Sequence, residues 1–346
     1  MSPQEPTRRP RFTLIGILMF ALLAGATLSA WLIVQGRTGP HNRGEKVVGR
    51  LHEKGLSTWW ERSTQARWFL VRRGDRAVGW QVHVRVPLDD GGFGGFEIRI
   101  LRRDGVSGGS WEGWVLNSDA TAGEYRAGEV GVSGERVVTS LQTYITLSEG
   151  TIQAEQQIPI QARSKARAPK NYIPEGTLSL VRRLTAETGD DAAFRMVFNE
   201  QPPRGSRTSF GTVRMETQPV SQQQRREGAT QAMKMTFVRA DGQENAETYL
   251  LDEQGETLAI VADNTRVESA EAREVLTEFP DAPRTVAHLN ERLLERFFEQ
   301  FDTDDFLPQA VMPPDVGAGE QNGPETPDDE PVPEKISDPE TQTQGE

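Results

Sequence analysis

Trp80-Gln-Val82-His-Val84-Arg-Val86 alternates apolar and polar side chains without a break. A β-strand turns successive side chains to opposite faces, so Trp80, Val82, Val84 and Val86 share one face and Gln81, His83 and Arg85 the other. Phe96-Glu-Ile98-Arg-Ile100 repeats the pattern, as do Val213-Arg-Met215-Glu and Met233-Lys-Met235-Thr-Phe237. Turn-forming clusters separate the runs: Arg73-Gly-Asp75, Asp89-Asp-Gly-Gly92, Arg103-Asp-Gly105, Asp241-Gly242 and Glu253-Gln-Gly255. Strands that alternate in this way and are joined by tight turns pair as antiparallel neighbours. The expected fold is mainly β (α+β), a curved antiparallel sheet of half-barrel type packed on one or two helices. Its polar face is expected to meet water and its apolar face to be covered. One continuous sheet and two small subdomains, about 59–160 and 194–267, both fit the pattern.

Two helices are expected to cover the sheet. Pro174-Glu-Gly-Thr-Leu178-Ser-Leu180-Val181-Arg-Arg-Leu184 reads as a short one in mid-chain. From Pro283 to Phe301, residues Val286, Leu289, Leu293, Leu294, Phe297, Phe298 and Phe301 form an apolar stripe at helical spacing. Phe297, Phe298 and Phe301 are candidates for contact with a partner protein.

Toward the N-terminus, Phe12 to Val34 is a run of 23 residues with no charge. At about 1.5 Å per residue such a helix spans a hydrocarbon core of roughly 30 Å. The run is too long for a cleaved signal, and Leu28-Ser-Ala30 puts leucine where a cleavage site needs a small residue. A retained single-pass anchor in a bacterial inner membrane is expected, with the bilayer as partner. Arg8, Arg9 and Arg11 precede the run, while Arg37, Arg43, Lys46 and Arg50 follow it. The counts do not decide orientation; the arginines nearest the run favour a cytoplasmic tail at 1–11 and a periplasmic main domain. Residues 35–57 read as a stalk, 58–307 as the domain, and 308–346 as a disordered acidic tail.

The chain has 346 residues and a net charge of −12. Ten acidic residues and one lysine between Val311 and Glu346 carry most of that charge, and no basic face for nucleic acid stands out. With no cysteine there is no disulfide, thiolate metal site or cysteine nucleophile. His41, His52, His83 and His288 lack metal-pair spacing and read as surface residues. Gly131-Val-Ser133-Gly134 and Gly108-Gly-Ser110 are not Gly-x-Ser-x-Gly elbows. Gly91-Gly-Phe-Gly-Gly95 precedes a strand, not a helix, and reads as a hairpin loop or the rim of a groove. Arg163, Lys165, Arg167 and Lys170 form a small basic loop, and Asp302-Thr-Asp304-Asp305 lacks the glycine and glutamate of a calcium loop. No cofactor, metal or catalytic residue is expected. Trp68, Trp80, Val82, Ile98, Trp111 and Trp114 either form the core of the sheet or line an apolar groove for lipid or peptide.

Two hairpins carry a resemblance. Trp68-Phe-Leu-Val-Arg-Arg-Gly74-Asp-Arg-Ala-Val78-Gly-Trp80 resembles the opening of β-rich extracytoplasmic bacterial domains, some of them attached to transglutaminase-like proteins. Tyr249-Leu-Leu-Asp252-Glu-Gln-Gly255-Glu-Thr-Leu258-Ala-Ile260 is similar to a late hairpin of lipoprotein-carrier-like half-barrels. The resemblance covers about 25 residues and implies a curved sheet wrapped over helices, with no functional residue carried over. The expected function is a non-enzymatic binding or scaffold module anchored in the cell envelope. The alternative is an anchored carrier or chaperone for lipid or lipoprotein.

Overall fold

The computed structural model describes residues 23–27, 39–103, 106–133, 136–157, 162–198, 208–262 and 264–289. Of the apolar run it describes only 23–27, which are helical, and among the described residues no helix is long and apolar enough to cross a membrane. The acidic tail and Phe297, Phe298 and Phe301 lie outside the described residues.

Fourteen strands form one antiparallel sheet, which answers the question left open between one sheet and two. They are β1 (Gln65–Arg73), β2 (Arg76–Pro87), β3 (Phe93–Arg103), β4 (Val106–Leu116), β5 (Gly123–Ser133), β6 (Arg136–Ser148), β7 (Thr151–Gln156) and β8 (Ala162–Arg167), then β9 (Ala192–Met196), β10 (Gly211–Gln218), β11 (Gln231–Val238), β12 (Glu244–Leu251), β13 (Thr257–Ala262) and β14 (Thr265–Ala270). Strands β1 to β8 meander away from one side of β1. Strands β9 to β14 meander back to its other side, so the first and last strands pair in the middle of the sheet. The outer edges are drawn together. After β8, residues 171–173 run along β9, with Arg195 N donating to Asn171 O at 2.9 Å and Ile173 N to Arg195 O at 3.0 Å. The hydroxyls of Ser164 on β8 and Thr208 before β10 meet at 2.9 Å. Residues 171–173 thereby satisfy part of the outer edge of β9, while β8 and β9 do not pair with each other.

Helices α1 (Pro40–Lys54) and α2 (Leu178–Thr188) fill the concave side. Val47, Val48 and Leu51 of α1 and Leu180, Val181 and Leu184 of α2 are buried there among Phe69, Phe93, Leu116, Ile145, Phe194 and Met233. This corrects the stalk expected at 35–57. The glycines and Pro40 resemble linker composition, yet Pro40 occupies the first helical turn, where its missing N–H costs nothing. Gly44 shows how close α1 lies to the sheet, since a Cβ there would fall 2.2 Å from the Ala193 carbonyl oxygen.

The convex side has its own core. Trp68, Trp80, Val82, Ile98 and Trp111 lie against α4 (Ala272–Glu278) and α5 (Ala282–Leu289), which contribute Val275, Leu276, Val286 and Leu289. A short helix α3 (Gln222–Arg226) lies between β10 and β11, with a capping box on Ser221 and Gln224. The helix expected from Pro283 is therefore present as α5 over its described part. The one expected from Pro174 is present as a 3-10 turn (Glu175–Thr177) leading into α2.

Candidate functional site

The alternation that defines β2 also builds the site. Gln81, His83 and Arg85, on the face expected to meet bulk water, instead line a cavity on the concave side. In the β2–β3–β4 register His83 stands opposite Glu97, and Glu97 opposite Glu112, so three ionisable groups form one row. Arg99 shares that face one step along, opposite Gln81. The 3-10 turn and α2 bring Glu175 and Arg182 over the row. The β12–β13 hairpin supplies Glu247, Tyr249, Glu256 and Thr257 from the other side. Together they line a partly open cavity of about 270 Å³.

Hydrogen bonds fix most of the acids. Gln81 Nε2 donates to Glu97 Oε1 at 2.6 Å, and His83 Nε2 lies 2.9 Å from Glu97 Oε2. Tyr125 OH donates to Glu112 Oε2 at 2.8 Å, Tyr172 OH to Glu175 Oε2 at 3.3 Å, and Tyr249 OH to Glu247 Oε2 at 2.7 Å. Arg67 pairs with Glu256 at 3.3 Å. The remaining guanidiniums are held differently. Arg182 donates from Nη2 to Thr257 Oγ1 at 2.6 Å and lies 4.4 Å from the centre of the Tyr249 ring. Arg85 sits 4.8 Å over Trp60. Both are cation–π contacts in a low-dielectric setting.

Burial opposes charge on every carboxyl of the row. At Glu97 the charge and hydrogen bond of His83, with Arg99 and Arg182 at longer range, outweigh burial and hold the carboxyl below its ordinary value. Glu97 keeps 32% of its side chain accessible, and that area is cavity wall. At Glu112 burial joins the charge of Glu97, and the pKa rises to about 7. Glu175 is pushed to about 8, chiefly by burial and also by the charge of Glu112. Burial pulls Arg85 and Arg182 down from their ordinary values.

Several polar atoms in this wall have no hydrogen-bond partner: Gln81 Oε1, Arg85 Nε, Arg99 Nε, Arg182 Nε and Glu175 Oε1. Gln81 and Arg182 are only 3% and 4% exposed. Buried donors and acceptors are nearly always paired in proteins, and leaving one unpaired costs about 1–3 kcal/mol. These five atoms lie within the packed wall, with almost no accessible surface of their own.

The residues expected to line a groove divide between the two faces. Trp68, Trp80, Val82, Ile98 and Trp111 are closed under α4 and α5 and do not reach the cavity. The apolar groove expected from those five is thus convex-face core. Trp114 alone of the six lines the cavity, beside Trp60. Its ring is gripped by backbone, because a Cβ on Gly95 or on Gly176 would come within 2.3 Å of it. His83, expected as a surface residue, keeps 35% of its side chain accessible, with its ring 4.9 Å from that of Phe69 and its Nε2 bonded to Glu97. Glu97, Glu112, Glu175 and Arg182 were not anticipated. The available signal was a charged residue at the polar positions of three consecutive strands. Among the described residues no group of three or more His, Asp or Glu is placed to hold a metal.

No protein-family profile and no curated protein matches the sequence. Among solved structures the chain is similar to a β-barrel-like protein of the domain of unknown function DUF1849 from Brucella abortus. The two share 12% identity over 61% of this chain and 98% of that one, with a TM-score of 0.42. None of these comparisons shows a lipoprotein-carrier family.

Proposed function

We propose that this protein is a non-enzymatic binding module that holds a small polar molecule in the concave cavity, tethered to a bacterial envelope membrane by Phe12–Val34. The polar lining carries the reading, since Gln81, Arg85, Arg99, Glu175 and Arg182 stand around one cavity of small-molecule size. The tether rests on the 23 uncharged residues, and a periplasmic placement on the arginines before them. A wall so rich in charge suits a polar ligand rather than an acyl chain, which sets the lipid-carrier alternative second. Native mass spectrometry of the full chain purified in detergent tests this. A polar small molecule released on unfolding, and lost in Ser179→Trp at the exposed rim, is expected. Recovery of lipid alone, or of no molecule, would overturn it.

Acid–base chemistry is a second reading, favoured by one observation. Glu97 and Glu112 are neighbours whose proton affinities are driven in opposite directions, as in sites where one carboxyl gives a proton and another stays ionised. Turnover of the retained molecule, abolished by Glu112→Gln, would favour it over simple binding.

A further inference from the structure

We infer that the ligand is a small organic anion and that Arg85, Arg99 and Arg182 are its counter-charges. The inference rests on the binding reading above and specifies the chemistry of that site. It follows from how the acids in the wall are already occupied. Glu256 is paired with Arg67, Glu97 is held by His83 and Gln81, and Glu247 accepts from the uncharged Tyr249 hydroxyl, which occupies an oxygen without cancelling a charge. Glu112 and Glu175, the two carboxyls left over, accept from Tyr125 and Tyr172, and their surroundings favour the protonated form. Among the described residues, Arg85, Arg99 and Arg182 line the cavity with no carboxylate oxygen within 4.0 Å, and Glu97, Glu247 and Glu256 reach them only at longer range.

A guanidinium cannot shed its charge as a lysine can, so a desolvated one without a carboxylate is costly. Thr257 and the rings of Tyr249 and Trp60 offset part of that cost for Arg182 and Arg85. Planar N–H forks of this kind match carboxylate and phosphate oxygens two at a time. In their protonated forms, Glu112 and Glu175 would add hydrogen bonds without repelling an anion. Phe69, Trp60, Trp114 and Tyr249 supply flat apolar surface beside the charges, so the anion carries an apolar or aromatic body. At about 30 Å³ per water, the cavity holds about nine waters' worth of volume, enough for one ring with one anionic group.

Calorimetric titration of the full chain in detergent micelles with benzoate, phenyl phosphate, benzyl alcohol and benzylamine tests this. At least one anion is expected to bind, with the alcohol and the amine at least about tenfold weaker. Arg182 is buried and ties α2 to β13, so Arg182→Gln risks the fold. Arg85→Gln and Arg99→Gln, at half-buried positions, are expected each to weaken the anion about tenfold with an unchanged circular dichroism spectrum. Equal or tighter binding of benzyl alcohol or benzylamine would overturn the anion while leaving a binding cavity. Anion binding indifferent to both variants would overturn the arginines as its partners. Binding of none of the four would overturn the inference, and the binding reading would still be decided by native mass spectrometry.

Discussion

Glu97 and Glu112 stand directly opposite each other on β3 and β4, yet one sheds its proton more readily than an ordinary glutamate and the other less. His83 makes the difference. It bonds Glu97 at 2.9 Å, and the charge thereby fixed on Glu97 discourages a second one next to it. Glu175, above the row on the 3-10 turn, is pushed the same way as Glu112.

A pH dependence of stability follows from these shifts. A carboxyl whose pKa is raised by folding contributes fully below its unfolded value and loses that contribution as pH climbs through its folded value. For Glu112 the window runs from 4.5 to about 7, and for Glu175 from 4.5 to about 8. Glu97, held low, acts in the opposite sense and loses its contribution only in acid below 4.5. His52, lowered by burial, likewise loses its share below 6.5. The double variant Glu112→Gln/Glu175→Gln should therefore lose less stability than the parent between about pH 5 and about pH 8.5, by on the order of 1–3 kcal/mol. Thermal unfolding at both pH values measures it. Parallel falls in the two proteins would show that neither carboxyl is desolvated in the fold.

Leu51 tests whether α1 belongs to the domain. It is fully buried on the concave side with Val47 and Val48, so Leu51→Ala removes atoms from a packed core. A loss of about 2–5 kcal/mol is expected, read from the midpoint of a denaturant titration. A linker residue would change stability by less than about 0.5 kcal/mol, and such a value would restore the stalk.

Trp80 and Trp114 distinguish the two faces of one sheet. Trp80 is 1% exposed beneath α4 and α5 and packs 5.9 Å from Trp68. Trp80→Ala should cost about 3–5 kcal/mol while leaving anion binding by the surviving folded protein unchanged. Trp114→Leu should weaken binding as well as stability, because that ring lines the cavity. Calorimetry beside denaturant titration separates them, and a binding defect in Trp80→Ala would mean that the faces are coupled.

The strands were legible because their period is local. Trp80 to Val86 alternates whatever surrounds it, and the Asp252-Glu-Gln-Gly255 turn is closed by its own atoms, with Asp252 Oδ1 accepting from Gln254 N and Glu256 N. What each face meets is not local. Gln81, His83 and Arg85 have the composition of a solvated face, and only the return of α2 and the β12–β13 hairpin makes that face the lining of a cavity. Likewise Val47, Val48 and Leu51 are too few, among glycines and charges, to outweigh a linker-like composition until β9 lies against them. The row His83, Glu97, Glu112 depends on strand register, which aligns residues 14 and 15 positions apart and leaves no motif of fixed short spacing.

Gly176 sets the height of the cavity roof, and a double-mutant cycle can show it. A Cβ at Gly176 would fall 2.3 Å from Cδ2 of Trp114, and Gly95 on β3 approaches the same ring from the sheet side, so the ring has little room to retreat. Gly176→Ala should then cost about 1–3 kcal/mol through overpacking, against the usual gain from replacing an unconstrained glycine. Leucine at position 114 presents no flat ring to the new methyl group, so the Gly176→Ala penalty should shrink in a Trp114→Leu background. A coupling above about 0.5 kcal/mol between the two substitutions, measured by denaturant unfolding of the parent, both single variants and the double, is the expected result. Additive costs would mean that the 3-10 turn moves freely over Trp114, and the cavity would then lack the fixed roof that holds Glu175 and Arg182 above the row.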